Sequence, residues 1–280
     1  GLNSCNLKNE NVKITILHTN DVHSQIEPFP FNHDKYPDRG GFARRANIFK
    51  GLMKINPNTL IFDAGDIFQG TPYFNFFQGD LELKLMKEMG YNAATIGNHE
   101  FDAGLKKLKE NILNNNFPFV SSNYDFTNTE LEGLISNYKI FKKEGIKIGV
   151  FGLGIELNGL VSSSLFKETK YYDPVEITQE MTSKLKNKEK CDLIICVSHL
   201  GHSYQTDKIS DLKLGKLTSD IDLIIGGHTH TFLKKPEIIK NSQDKDVIIN
   251  QVGSNGIYVG KIDFNFINNN KSSDKSIVEV

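Results

Sequence analysis

The stretch CDLIICVSHLG, residues 191–201, is a run of apolar side chains that ends at a histidine. A strand covered on one face alternates apolar and polar residues, whereas a near-continuous apolar run indicates a strand covered on both faces. The same pattern recurs in four other stretches, at 12–21, 59–66, 91–100 and 221–230. These five stretches predict interior strands that lie between other layers of structure.

Helical patterns lie between the predicted strands. Apolar residues at helical spacing predict helices over four stretches, 40–54, 79–90, 103–116 and 175–190. Gly90 closes the second of them, as glycine often closes a helix. The alternation of strands and helices predicts an α/β fold in which part of the strand pairing is parallel.

Two regions depart from this alternation. Residues 137–154 predict a hairpin that turns at Glu144–Gly145, and residues 247–266 and 276–280 predict antiparallel strands. We therefore expect a mixed sheet system or two packed sheets. We also expect a single domain over residues 12–280, preceded by a flexible tail at residues 1–11.

The composition is that of a globular protein without an extreme partner preference. The chain has 280 residues, a formal net charge of -1 and 38% hydrophobic residues. This balance gives no indication of binding to a nucleic-acid polymer or to an anionic membrane surface. The apolar stretches are too short for a transmembrane segment. Three cysteines do not form a disulfide framework in a chain of this length, so Cys191 and Cys196 are expected to be buried free thiols.

Metal-capable side chains stand at the end of each predicted interior strand. They are Asp21, His23, Asp66, Asn98, His99, His199, His228 and His230. Five of the eight histidines of the chain are at these junctions, which random placement would seldom produce. In open α/β sheets, ligand sites form beyond the carboxyl ends of the strands. The sequence therefore predicts that these residues converge on one site.

The residue types favour a particular chemistry. Imidazole nitrogens and carboxylate oxygens without thiolates suit Zn²⁺, Mn²⁺ or Fe. The set is too large for one tetrahedral ion but suits two ions that share a carboxylate. Two ions about 3.5–4 Å apart can clamp the attacking and leaving oxygens of an in-line displacement, and they lower the pKa of bound water. A phosphoester is the substrate whose charge such a pair neutralises.

Each residue taken alone has a structural alternative. Asp21 and Asp66 are of a type common in turns. Asp102 can cap the helix predicted near Ala103 instead of serving the site. His199 alone can be a core imidazole, and His18, inside the first strand, is expected to be one.

The ordered set of motifs resembles the signature of the calcineurin-like metallophosphoesterases. It consists of Asp21-x-His23, Gly65-Asp66, Gly97-Asn98-His99-Glu100, His199 and Gly227-His228-Thr229-His230. Further stretches, GDIFQGTPYFNFFQGD and GGHTHTF, resemble the N-terminal, metal-bearing domain of the 5′-nucleotidase family, which includes UDP-sugar hydrolase/5′-nucleotidases. The similarity extends from about Val12 to Phe266. It implies a four-layer α/β/β/α sandwich with two mixed β-sheets.

The resemblance also implies a role for each motif residue. Asp21, His23 and His230 would hold one divalent metal ion, Asn98, His199 and His228 would hold the second, and Asp66 would bridge the two ions. His99 would stand beside the scissile phosphate, and Asp102 would orient its ring. Glu100 is expected to support the ligands or to be structural. His202 and Arg44 could approach the substrate but are expected to be solvated or structural.

The function that the resemblance implies is metal-dependent hydrolysis of a small phosphoester, which in this family is a nucleotide. Family nucleotidases carry a C-terminal substrate-binding domain, and we expect this domain to be absent from the chain. One alternative is therefore a metal-bearing subunit that is active only with a separate substrate-binding chain, and another is a thiosulfohydrolase-like sulfur-ester hydrolase. Family members are usually exported, which implies a periplasmic or cell-surface location. The letters LNSC suggest a lipid anchor at Cys5.

Overall fold

The computed structural model describes residues 11–268 and 270–280. The strands are β1 (Asn11–Thr19), β2 (Thr59–Asp63), β3 (Ala93–Ala94), β4 (Tyr124–Asp125), β5 (Tyr138–Lys143), β6 (Ile146–Leu153), β7 (Lys170–Tyr171), β8 (Leu193–Ser198), β9 (Leu223–Ile225), β10 (Glu237–Lys240), β11 (Asp246–Asn250), β12 (Tyr258–Ile267) and β13 (Asn270–Glu279). The α-helices are α1 (Phe42–Ile55), α2 (Pro72–Phe77), α3 (Asp80–Met89), α4 (Gly104–Asn115), α5 (Ser163–Phe166), α6 (Pro174–Ser183) and α7 (Asp211–Leu217). A 3₁₀ turn covers Asn98–Phe101, and a π turn at Lys184–Lys188 continues α6.

Two mixed sheets form the centre of the fold. The first has the order β13-β12-β1-β2-β3, and the second has the order β10-β11-β9-β8-β6-β5. Strands β1, β2 and β3 are parallel to one another, as are β6, β8, β9 and β11. Antiparallel strands complete one edge of the first sheet and both edges of the second. The parallel strands of each sheet therefore have their carboxyl ends on the same side of that sheet.

Strand β8, from the opening stretch, shows why the sheets stack in layers. All six of its residues are buried. Ile195 and Val197 pack in the cluster shared with the first sheet, whereas Ile194 and Cys196 pack with Met181 of α6 and with α7. Alternate side chains point to opposite faces of a strand, so both faces of β8 are covered.

The first sheet is covered in the same way on its outer face. Leu17 of β1 and Ile61 of β2 pack with Phe49 of α1, Met86 of α3 and Leu108 of α4. The layers therefore run from α1, α3 and α4 through the two sheets to α6 and α7. This arrangement confirms the expected four-layer α/β/β/α sandwich with two mixed sheets.

Several predicted elements have different bounds in the structure. The strand predicted over 91–100 pairs only at Ala93–Ala94, because the chain then turns into the 3₁₀ segment that carries Asn98. Within the region predicted as antiparallel, β11 is antiparallel to β10 but parallel to β9, so the prediction was wrong for one of its two neighbours. Strand β13 extends through the polar residues 270–275, which are mostly exposed at the sheet edge.

Other predictions agree with the structure. The hairpin between β5 and β6 turns at Glu144–Gly145, where both residues have a left-handed φ. His18 is fully buried, and burial lowers its pKa to about 3, so the ring is a neutral core imidazole. Cys191 and Cys196 are free, and Cys196 is buried whereas Cys191 is only half-buried.

The predicted start of the domain lies close to the first described strand. Strand β1 begins at Asn11, one residue inside the predicted tail. The remainder of that tail, with the anchor predicted at Cys5, lies outside the described residues. Within the described ranges, the helices are too short or too polar to cross a lipid bilayer.

Candidate metal centre

The polar residues at the strand ends meet in one place. Ligand atoms of Asp21, His23 and His230 lie within 4.8 Å of one another, and those of Asp66, His199 and His228 form a second such group. The two groups adjoin, because His199 Nε2 is 3.1 Å from Asp66 Oδ2 and 3.9 Å from Asp21 Oδ1. Asn98 joins the second group, with its Oδ1 3.0 Å from His228 Nδ1. Stretches separated by up to about two hundred residues thus form one cluster.

The backbone at this cluster is unusual. Asp21, His23, Asp66, His228 and His230 all have a left-handed φ, between 47° and 75°. A non-glycine residue in this region costs of order 1–3 kcal/mol, and such residues concentrate at functional sites. The sharp turns at the strand ends aim these side chains at a common point.

Gly97 lies where the Gly65-Asp66 turn contacts the GNHE turn. A Cβ atom at this position would overlap the Asp66 carboxylate and approach the Asp66 backbone nitrogen at 2.5 Å. Only glycine allows the GNHE turn to pack this closely against Asp66. The glycine of the motif is therefore required by the packing of its neighbour.

The hydrogen bonds of two histidines fix which ring nitrogen faces the cluster. His199 Nδ1 donates to the Ala64 carbonyl at 2.6 Å, and His23 Nδ1 donates to the carbonyls of Phe68 and Gln69 at 3.2 and 3.1 Å. In both rings Nε2 is then the nitrogen that faces the cluster, which is the arrangement found in metal-ligating histidines. His23 Nε2 lies 3.0 Å from His230 Nε2.

These nitrogens fit a bound cation. Among the described residues, the buried His199 Nε2 has no hydrogen-bond partner of acceptable geometry, although a carboxylate oxygen stands nearby. Two ring nitrogens 3.0 Å apart, as in His23 and His230, require a proton or a cation between them. Imidazole nitrogens lie about 2.0–2.1 Å from a bound Zn²⁺, so a single ion can contact both.

The charge of the cluster supports the same interpretation. Burial would lower the pKa of His199, but the charges of Asp66 and Asp21 outweigh burial and raise it to about 10. Burial and the nearby His199 lower the pKa of His228 to about 4, which leaves its ring neutral. Two buried carboxylates thus attract positive charge to this point, and the neutral imidazole of His228 lies beside them.

His99 and Asp102 form a pair beside the cluster. His99 Nδ1 donates to Asp102 Oδ2 at 2.8 Å, and the His99 backbone N–H donates to Asp66 Oδ1 at 2.9 Å. The hydrogen bond that the ring donates to Asp102 raises the pKa of His99 to about 9. The His99 side chain is 37% exposed, so it can meet a ligand from solution. Asp102 does not cap α4, whose N-cap residue is Ala103, and the capping alternative is therefore wrong.

Glu100 holds the two central turns together. Its buried carboxylate accepts hydrogen bonds from the backbone N–H groups of Asp66, Ile67, Phe68 and Gly97. Burial and the charge of Asp66 raise the pKa of Glu100 to about 7. The sequence predicted only a supporting or structural role for this residue, and the structure shows that it joins the Asp66 turn to the GNHE turn.

Replacing Glu100 by glutamine is expected to lower the free energy of unfolding by roughly 1–3 kcal/mol, because the amide NH₂ would face backbone donors that then lack an acceptor. Urea denaturation followed by circular dichroism measures this change. Glu180→Gln, at an exposed position of α6, is the matched control and should change the free energy by less than about 0.5 kcal/mol. Equal stability of the two variants would contradict the role given to Glu100.

Two further buried amides support the ligand loops and were not singled out from the sequence. Asn20 Nδ2 donates to Asp21 Oδ2 at 2.6 Å and to the Gly253 carbonyl at 2.7 Å. Gln251 Oε1 accepts from the Thr231 N–H at 2.7 Å, and its Nε2 donates to the Gly227 carbonyl at 3.1 Å. Asn20 precedes the motif residue Asp21, and this position could have identified it from the sequence as a supporting residue. Gln251 has no local signal.

The two residues expected to be solvated or structural have protein partners. Arg44 donates to the side chain of Asp38 at 2.6 Å. His202 Nε2 lies 3.2 Å from Glu237 Oε1. Neither contact assigns these residues to the metal centre.

The sequence of this chain is similar to those of known phosphoesterases. The family model for calcineurin-like phosphoesterase matches residues 14–232. The trifunctional nucleotide phosphoesterase protein YfkN of Bacillus subtilis is 31% identical over 285 residues, which cover 90% of this chain and 18% of that protein. The 5′-nucleotidase of Vibrio vulnificus is 32% identical over 279 residues, which cover 91% of this chain and 49% of that enzyme. This chain thus spans less than half the length of either relative.

A solved structure agrees with these relatives. The crystal structure of a 5′-nucleotidase precursor from Thermus thermophilus matches with a TM-score of 0.87 and 30% identity, over 96% of this chain and 55% of that one. On the family match, supported by the relatives and by the fold, this chain belongs to the calcineurin-like phosphoesterase family.

Proposed function

We propose that this chain is a metal-dependent phosphoester hydrolase that acts on nucleotides. The observation that carries the proposal is the pair of adjoining ligand groups at the carboxyl ends of the parallel strands. Relatives named 5′-nucleotidase support the nucleotide as the substrate class.

The proposed ligands divide between two divalent cations, whose identity we leave among Zn²⁺, Mn²⁺ and Fe. One group of ligands is Asp21, His23 and His230, the other is Asn98, His199 and His228, and Asp66 serves both. Two cations in this position would neutralise phosphate charge and supply an ionised water as the attacking group.

The remaining residues act on the substrate and on the ligands. His99 is proposed to contact the phosphoryl group or the leaving oxygen through Nε2, because Asp102 occupies its Nδ1. A group held in this way can donate a hydrogen bond or a proton to the leaving oxygen. Asp102 keeps the ring in place, and Glu100 keeps the two turns together.

Phosphate release from a panel of esters tests the proposal. The protein loaded with Mn²⁺, Zn²⁺ or Co²⁺ is expected to release inorganic phosphate from AMP and other 5′-nucleotides. Binding of two metal ions without hydrolysis of any phosphoester would contradict it. Release of sulfate from a sulfur ester instead would favour the thiosulfohydrolase-like alternative.

A second part of the experiment tests whether activity requires a C-terminal domain like that of the longer relatives. A separately expressed C-terminal half of a 5′-nucleotidase is added to this chain before the assay. Activity that appears only on mixing would favour the metal-bearing subunit. The C-terminal partner and the periplasmic or cell-surface location stay predictions.

A further inference from the structure

Gln69 lies in the turn between β2 and α2, pressed against a proposed metal ligand. Its φ is +70°, in the left-handed region. The next residue, Gly70, is so close to His23 that an added Cβ atom would lie 2.6 Å from the His23 carbonyl oxygen. A strained non-glycine residue that packs this closely against a site is a candidate for a specific role.

The two ends of Gln69 contact two different parts of the site. Its backbone carbonyl accepts a hydrogen bond from His23 Nδ1 at 3.1 Å. Its side-chain Nε2 donates to Asp102 Oδ2 at 3.0 Å. The same Asp102 oxygen accepts from His99 Nδ1 at 2.8 Å. One residue therefore links His23 to His99 through a short series of hydrogen bonds.

This link sets the relative position of two imidazoles that are far apart in the sequence. The ring centroids of His23 and His99 lie 5.4 Å apart at an interplanar angle of 77°. With His99 as its only partner, the Asp102 carboxylate could rotate about its terminal torsion, which has broad minima. The second donor, from Gln69, restricts that rotation, so the ring of His99 is held as well. Catalytic groups need positions held to about 0.5 Å, which this contact helps to provide.

We infer that Gln69 is a positioning residue that fixes the His99–Asp102 pair relative to the metal centre. The kinetic part of this inference rests on the proposed function. The structural part concerns only the hydrogen bonds of His99 and Asp102.

The test variant is Gln69→Asn. Asparagine tolerates a left-handed φ and keeps the backbone carbonyl on His23, but its shorter side chain does not reach Asp102. Gln78→Asn is the matched control, because Gln78 also has a left-handed φ, of 51°, and is exposed at the end of α2. Both variants carry the same chemical change at the same backbone conformation.

The first readout is independent of activity. In proton NMR of the zinc-loaded protein, the His99 Nδ1–H is expected to give a downfield resonance in the wild type and in Gln78→Asn. In Gln69→Asn this resonance should broaden or disappear, because the less restrained pair exchanges its proton with water faster. Metal content by mass spectrometry should be unchanged in both variants.

The second readout is kinetic. We expect Gln69→Asn to lower kcat for a 5′-nucleotide by about tenfold or more, because a hydrogen bond to a charged carboxylate is lost, with KM within about twofold. In a His99→Ala background the same substitution should have no further effect, because the residue acts through His99.

Each other outcome has a defined meaning. An unchanged His99 resonance with unchanged kcat would overturn the inference. Loss of metal in Gln69→Asn would also overturn it, because the residue would then serve the ligand turn and not the His99–Asp102 pair. If the wild type hydrolyses no nucleotide, the proposed function fails, and the NMR comparison still decides the role of Gln69.

Discussion

Asp66→Asn is expected to lower kcat/KM by roughly 10³-fold or more and to reduce the metal content of the chain. The Asp66 carboxylate lies between the proposed ligands, with Oδ2 3.1 Å from His199 Nε2. An amide of the same size removes the charge that attracts cations but keeps an acceptor for the His99 N–H. A bound metal ion supplies several kcal/mol of transition-state stabilisation, and this amount corresponds to the expected loss.

Metal analysis after dialysis and steady-state kinetics measure the two effects together. Asp34→Asn is a suitable control, because Asp34 is exposed in the loop before α1. The control should bind the same number of ions as the wild type, and chelation should reduce its activity to the level of Asp66→Asn. An Asp66→Asn protein that keeps two ions and stays within about threefold of wild-type kcat/KM would remove Asp66 from the proposed bridge.

His99→Ala is the second large expected effect, and it should separate catalysis from metal binding. We expect kcat to fall roughly 10²–10⁴-fold while both ions stay bound, the range typical of a lost general acid. The reason is geometric, because the His99 ring is bonded to Asp102 and is partly exposed, whereas the proposed ligand nitrogens belong to other histidines.

His33→Ala removes a histidine whose ring stacks with Tyr36 in a surface loop, and it should leave kcat unchanged. Free imidazole should restore part of the activity of His99→Ala, because the vacated space opens to solvent. Loss of metal in step with activity would show instead that His99 is a ligand.

Much of the fold could be predicted from local patterns. The apolar run at 193–197 predicted a strand covered on both faces, and in the structure its side chains alternate between the inter-sheet core and the outer helices. Helices α1, α3 and α4 lie within the predicted stretches to a residue or so. These patterns are local because burial imposes its periodicity on consecutive residues.

Other features could not be predicted in this way. The strand predicted over 91–100 is mostly a turn, because the chain must bend there to bring Asn98 and His99 to the site. The parallel pairing of β11 with β9 depends on which strands become neighbours, and the sequence of β11 does not contain that information.

The sequence by itself determined which metal-capable side chains follow the apolar strands and which strands are covered on both faces. Histidines, carboxylates and an amide follow the apolar runs. Their residue types indicate a metal-capable set, and their positions place it at the carboxyl ends of the parallel strands. Only the tertiary structure decided how the set is held, by Glu100 on four backbone amides, by Gln69 between His23 and Asp102, and by Gln251 on the last loop. The physical reason is that side-chain type acts locally, whereas a hydrogen bond needs two groups within about 3 Å, and folding alone brings groups distant in the sequence that close.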